Sequence, residues 1–358
     1  MEPISPLSPE ARLKEAALAQ AEGERPPHRR HAGYARAWVV VKRVSYGVYT
    51  DGFIHAGNLA YMSILSIFPF IIVAAAVASL VGQSEGGLQT LRALLETMPP
   101  DVAALLDKPL QDVVAARSGT LLWVGALIGL WSVGSFIETI RDIIRRAYGV
   151  QVTTPFWKYR LASAGLIVGA MLVMLLSFSA TVLLSTVQEF IVNRIPGADD
   201  VVGLLTLIRL APAMILFGAV YVLFLALTPG RYRVRTCPKW PGALFVAVWW
   251  VTITAFLPPA LAAIGGYDLT YGSLAGVAIA LLFFFLIGMG VVIGAELNAA
   301  LAETPTPSQE DVVAAVREEK AEVAVEAAQE AAVEKVAQEE AGRKEDKAAT
   351  KEAEGKTE

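Results

Sequence analysis

The feature that most constrains this chain is an apolar stretch that runs from Tyr271 to Leu301 and carries no charge before Glu296. In an α-helix, a run of more than twenty apolar residues crosses a hydrocarbon core of about 30 Å. A helix that is apolar on every side for this length has no use on the surface of a soluble domain. The stretch therefore predicts a membrane-spanning helix and makes the chain an integral membrane protein.

Two pairs of glycines mark this helix, Gly272 with Gly276 and Gly290 with Gly294. Residues four apart share a helix face, so each pair leaves a flat strip suited to close packing against a neighbouring helix. Asn298 follows Gly294 by one turn on the same face. Packing within one molecule explains such strips first, and a homo-oligomer formed through them stays open.

Glu296 and Asn298 place polar groups at the end of the last predicted span. A carboxylate at this depth is unfavourable unless it reaches water or a partner. Two interpretations stay open, an interfacial cap and a polar site near the cytoplasmic end. In the second, the facing wall is the polar half of the first span. The candidate groove residues there are Asn58, Tyr61, Ser63 and Ser66. Hydrogen bonding between helices is the simpler role for these four residues.

Five further apolar stretches complete an all-α membrane domain of six transmembrane helices over residues 58–302. The predicted spans are 58–81, 120–137, 161–187, 204–227, 241–264 and 272–301. The loop after the first span holds two amphipathic segments divided by Pro99-Pro100, which predicts an extracytoplasmic helical loop.

The sequence before the first span falls into two parts. Residues 1–33 are rich in Pro, Glu, Ala and Arg, which predicts a disordered segment. In residues 34–57, valines recur at helical spacing between Arg36, Lys42 and Arg43. This pattern predicts an amphipathic helix lying in the membrane interface, and a short helix packed on the bundle is the alternative.

Lys and Arg predict the orientation of the spans. They concentrate before the first span and after the second and fourth, whereas the loop after the fifth has none. Six spans with both termini in the cytoplasm satisfy every loop. Residues 303–358 carry 16 acidic and 8 basic side chains, which leaves a net +4 on the rest of the chain. This charged cytoplasmic tail predicts a fraying helix or a disordered segment, and a protein partner bound by it stays open.

Several basic residues are candidate contacts for lipid head groups. Arg209 opens the fourth span, and four more lie in the loop after it, Arg231, Arg233, Arg235 and Lys239. Snorkelling explains Arg209, and orientation alone favours the loop residues. Membrane lipids are the partners that this set indicates.

Three parts of the chain, in its first, fifth and last predicted spans, together resemble one family. Residues 56–69 (AGNLAYMSILSIFP) are similar to the opening signature of the YihY/BrkB family of bacterial inner-membrane proteins. Residues 241–244 (PGAL), 271–274 (YGSL) and 294–298 (GAELN) resemble its fifth and closing helices. Asp142-Ile143 and the Phe-rich last span depart from the family pattern. The resemblance implies six spans over about residues 35–302, and it implies no settled activity.

The family has also carried a ribonuclease BN label, which the residues do not support. Metal-assisted hydrolysis of a phosphodiester needs clustered His, Asp and Glu ligands. All three histidines, His28, His31 and His55, precede the first predicted span, and Cys237 is the single cysteine. We therefore expect no metal, no cofactor, no nucleic-acid partner and no enzymatic activity.

Two functions remain. The first is movement or handling of an amphipathic lipid or envelope precursor, favoured by polar residues and prolines within apolar spans. The second is a non-transporting envelope scaffold that binds a partner through the charged tail.

Overall fold

The computed structural model describes residues 7–23, 33–80, 95, 98–115, 120–150, 157–172, 211–264, 274–303 and 306–354. The helices in these ranges are α1 (Pro9–Ala21), α2 (Gly33–Gly47), α3 (Phe53–Leu80), α4 (Pro100–Ala115), α5 (Thr120–Tyr148), α6 (157–172), α7 (Ala211–Leu227), α8 (Trp240–Ile264), α9 (Ala275–Leu301) and α10 (Gln309–Glu354). A π-helical turn, Val48–Gly52, joins α2 to α3. The described ranges contain no strand, so the prediction of an all-α chain is confirmed.

Four helical stretches in the described residues are long and apolar enough to cross a membrane. They are Ala37–Ala74, Trp123–Tyr148, Trp240–Ala263 and Ala275–Leu301. A shorter apolar helix covers Ala213–Leu227. The chain is therefore a helical membrane protein. The remaining parts of the third and fourth predicted spans, 173–187 and 204–210, lie outside the described residues.

The first long helix differs from the predicted division into an interfacial helix and a span that begins at residue 58. Gly47 and Phe53, on either side of the π turn, both have right-handed helical backbone angles, so α2 continues into α3. A π turn admits one extra residue without ending the helix. As a result the polar segment around Asp51 lies inside a helix, and the helical stretch that contains the first candidate span begins at Ala37. His55 also lies within this helical stretch.

The N-terminal segment is not wholly disordered, because residues Pro9–Ala21 form α1. Ser8 caps this helix by accepting a hydrogen bond from the Ala11 amide at 3.2 Å. A Ser cap followed by proline at the first helical position is a strong start signal. Composition suggested disorder here, and this local signal outweighs it.

The chain divides into two units, residues 1–11 with 31–303 and residues 12–30 with 304–358. In the second unit Lys14 of α1 pairs with Glu318 at 3.7 Å and Glu322 at 3.0 Å on α10. Ser308 and Asp311 start α10 with reciprocal backbone hydrogen bonds. The tail is thus helical through Gln309–Glu354, the first of the two alternatives above.

In the first unit α3 packs along both α5 and α9, and α8 packs against α7 and α9. Gly129 makes the contact between α5 and α3 close, since a Cβ there would lie 2.8 Å from the Pro69 carbonyl oxygen. The core is a layer of buried aliphatic and aromatic side chains, among them Ile71, Ile144 and Phe283. Glu296 and Asn298 lie on α9, where it packs against neighbouring helices.

Candidate functional site

The first long helix and α9 run antiparallel along each other, in a register set by four contacts. The pairs are Arg43 with Ala300, Gly47 with Glu296, Gly52 with Val292, and Ala56 with Gly288. Arg43 donates to the Ala300 carbonyl at 3.2 Å and so caps the end of α9. This register brings Glu296 to the segment that contains Gly47 and Asp51.

Glu296 lies where α9 packs against the end of α2. Its half-buried side chain rests on Gly47, where a Cβ would overlap the carboxyl group. Asp51, one helical turn after Gly47, acts electrostatically on Glu296. Arg43, one turn before Gly47, donates its hydrogen bond to the Ala300 carbonyl instead. Glu296 therefore lies near a second carboxylate.

The carboxylate pair coincides with the π turn Val48–Gly52. Such turns are uncommon and often occur at functional sites, because they offset the side chains on either side of them. Asp51 and Gly47 were not among the predicted site residues. No local pattern in the sequence singles them out, because their proximity to Glu296 depends on the packing of two helices that are far apart in the chain.

Asn298 serves a different helix contact from Glu296. Only 2% of it is exposed, and its Oδ1 accepts a hydrogen bond from the Gly242 amide at 2.8 Å. Gly242 lies in the first turn of α8, where amides have no partner within their own helix. Residues two apart on a helix point about 200° apart, so Glu296 and Asn298 do not share one site.

The predicted groove residues on the first span do not meet Glu296. Asn58 follows Gly47 by eleven residues, about 16 Å further along the helix axis. Asn58 is exposed and 57% of Tyr61 is exposed, while Ser63 is half-buried and Ser66 is buried. Asn58 and Tyr61 instead share an outward-facing stripe of α3 with the exposed Ile54 and Leu65.

The glycines of α9 lie against α8. A Cβ on Gly294 would be 2.6 Å from Val246 Cγ2 and 2.9 Å from the Gly242 carbonyl oxygen. A Cβ on Gly290 would overlap the ring of Trp249, whose indole donates to the Leu286 carbonyl at 2.8 Å. Gly276 is half-buried, and Gly272 lies outside the described residues.

The basic loop after α7 is mostly engaged with the protein itself. Lys239 is 4% exposed and donates to the carbonyls of Tyr232, Val234 and Cys237. Burial lowers the pKa of this ammonium. Arg233 donates to the Ala226 and Thr228 carbonyls at the end of α7, at 2.7 and 3.2 Å.

Two predicted head-group residues of this loop remain, together with the one that precedes α7. Arg231 pairs with Glu10 at 3.3 Å, and Arg235 is exposed. Arg209 lies outside the described residues. The structure thus leaves Arg235 as the loop residue best placed to meet other molecules.

A family comparison matches residues 49–318 to the family described as virulence factor BrkB. The chain belongs to the BrkB family. The matched region includes Asp51, Glu296 and Asn298, and it begins two residues after Gly47. The family resemblance of the opening and closing motifs is confirmed.

Curated relatives of this BrkB-family protein are distant but extensive. A ribonuclease-like protein of Bacillus subtilis, YfkH, is 24% identical over 70% of this chain and 90% of its own length. A UPF0761 membrane protein of Vibrio vulnificus is 25% identical over 77% of this chain and 85% of its own. Another, from Aeromonas salmonicida, is 25% identical over 79% and 94%. No solved structure matches the chain significantly.

The ribonuclease-like name of one relative can be compared with the side chains present. Among the described residues of this BrkB protein, no group of three His, Cys, Asp or Glu side chains is arranged to hold a metal ion. The groups that are brought together are instead a carboxylate pair, an interhelical amide cap and close glycine contacts.

Proposed function

We propose that this BrkB-family protein moves or handles an amphipathic lipid or envelope precursor in the bacterial inner membrane. The observation that carries the proposal is the outward stripe of α3, on which Asn58 and Tyr61 are exposed. Ala56 contacts Gly288, the middle residue of α9, so Asn58 two residues later lies level with the middle of α9. An amide facing hydrocarbon at this depth is unfavourable, and polar groups within a membrane generally mark a substrate path. A lipid head group passing along α3 would satisfy both side chains.

The carboxylate pair supplies the second part of the proposal. Glu296 and Asp51 lie where the first and last long helices pack together, at a π turn. Two like charges at a helix contact make that contact sensitive to any change in their charge. We infer that the pair controls how these two helices pack while the lipid moves along the outer face of α3.

Reconstitution tests the proposal directly. In liposomes that contain a labelled phospholipid, the wild-type protein should speed exchange of the label between leaflets. Asn58→Ala should slow this exchange several-fold, because it removes the mid-span amide, whereas Leu65→Ala on the same stripe should leave it near the wild-type rate. No protein-dependent exchange, or equal rates for the two variants, would contradict the proposal.

A scaffold is the second candidate, favoured by the 46-residue helix α10 with its exposed valines Val313, Val323 and Val333. A transporter should keep its lipid exchange when residues 304–358 are deleted. A scaffold should lose its envelope phenotype on the same deletion and show no exchange in either form.

We also propose the six-span topology with cytoplasmic termini, which a thiol test can examine. Cys237 is 1% exposed, so the native thiol should react slowly with a maleimide from either side. In a Cys237→Ser background, Arg235→Cys places a thiol at an exposed position two residues away. An impermeant maleimide should label that variant in inside-out vesicles. It should leave the variant unlabelled in cells whose outer membrane is permeabilised and whose inner membrane is intact. Labelling in the intact cells would reverse the orientation.

A further inference from the structure

A buried ionic cluster joins α5 to α6. Arg141 is 6% exposed, and its Nη1 donates to both Glu138 carboxylate oxygens, at 2.6 and 2.7 Å. Its Nη2 donates to Ser163 Oγ at 3.0 Å, and Ser163 donates in turn to Glu138 Oε1 at 2.6 Å. One positive and one negative charge thus satisfy each other within a closed set of hydrogen bonds.

A second guanidinium beside this cluster is not satisfied. Arg145 stacks on the ring of Tyr159, with Cζ 4.2 Å from the ring centroid, while Arg141 approaches the same ring at 4.9 Å. The Nη2 atom of Arg145 is buried and has no hydrogen-bond partner among the described residues. A buried N–H donor left without an acceptor is unfavourable, and more so on a charged group.

The acidic side chains nearby are already engaged by other bases. Glu138 holds Arg141, and Asp142 pairs with Arg146 at 3.0 Å. Arg160 donates to the Trp131 carbonyl and to Ser135, both at 2.9 Å. The charge of Arg145 therefore has no acidic counterpart in the cluster. Its place in the last turn of α5 favours a cation through the helix dipole, but the dipole provides no acceptor for Nη2.

The position of Arg145 indicates what would supply the acceptor. Arg145 lies in the charged end of α5 that follows its apolar part, which is where lipid head groups meet a spanning helix. A phosphate offers several acceptor oxygens and a negative charge, which a guanidinium binds well. We propose that Arg145, supported by Tyr159, binds the phosphate of an anionic membrane lipid between α5 and α6. This site does not require the protein to transport lipid, because a lipid that stays bound would supply the same acceptor to Arg145 Nη2.

Thermal unfolding of the purified full-length protein in detergent tests this site. Added phosphatidylglycerol should raise the unfolding midpoint of the wild type by about 5 °C, and phosphatidylcholine by much less. Arg145→Gln should lose most of the phosphatidylglycerol shift. Arg317→Gln, which removes the same charge from an exposed position on α10, should keep it.

Arg145→Lys is a second test in case Arg145→Gln does not fold. It keeps the positive charge but lacks the planar guanidinium that stacks on Tyr159. It should retain about half of the lipid-dependent shift. An undiminished shift in either Arg145 variant would overturn the proposal. The last measurement repeats the thermal unfolding with sodium phosphate in place of lipid. A full shift in the wild type from phosphate alone, lost in Arg145→Gln, would overturn the lipid as ligand and assign the site to a soluble phosphate compound.

Discussion

Replacing Gly294 by alanine should lower the stability of the protein by at least about 2 kcal/mol, and replacement by leucine should prevent normal packing altogether. The added Cβ would lie 2.6 Å from Val246 Cγ2 and 2.9 Å from the Gly242 carbonyl oxygen. The second of these atoms is backbone, so it can move only if α8 moves as a whole. A shift of α8 would also weaken the hydrogen bond from the Gly242 amide to Asn298.

The unfolding midpoint of purified protein measures this effect, and Gly57→Ala is a matched control. Both positions are glycines inside long helices, but a Cβ on Gly57 would meet no atom within 4 Å. The control should therefore be as stable as the wild type or slightly more so, since alanine favours helix. Equal midpoints for Gly294→Ala and Gly57→Ala would mean that α8 and α9 do not pack through this face.

Glu296→Gln should insert and fold normally yet lose most of the lipid exchange measured in liposomes. The amide keeps the size of the side chain and its contact with Gly47, while it removes the charge that faces Asp51. Because two like charges repel, neutralising one should leave the unfolding midpoint unchanged or raise it. A loss of activity without a loss of stability is the combination that a purely structural carboxylate would not produce.

Two further variants sharpen this test. Glu303→Gln removes the same charge from an exposed position just after α9 and should keep full exchange. Asp51→Asn should impair exchange partially, because it neutralises the other member of the pair. Wild-type exchange by a well-inserted Glu296→Gln protein would return this carboxylate to an interfacial role, and the proposal would then rest on the stripe of α3 alone.

Much of this architecture follows from local sequence signals. The length of the apolar run fixes α9 as a membrane helix, because no other environment accommodates so long an apolar surface. The i,i+4 spacing places Gly290, Gly294 and Asn298 on one face, and that face meets α8. Helical periodicity alone also separates Glu296 from Asn298, since positions two apart point to opposite sides. Grouping them as one site overlooked that geometry.

Only the tertiary structure decides what each of these faces meets. Periodicity identifies the side of α9 that carries Glu296, but the antiparallel register with the first helix brings Gly47 and Asp51 to it, and not Asn58. Composition counts Lys239 as a basic loop residue, but the fold of the loop surrounds its ammonium with three carbonyls. Such partners are distant in sequence or depend on how a loop closes. Local propensity therefore does not specify them, and the packing of helices does.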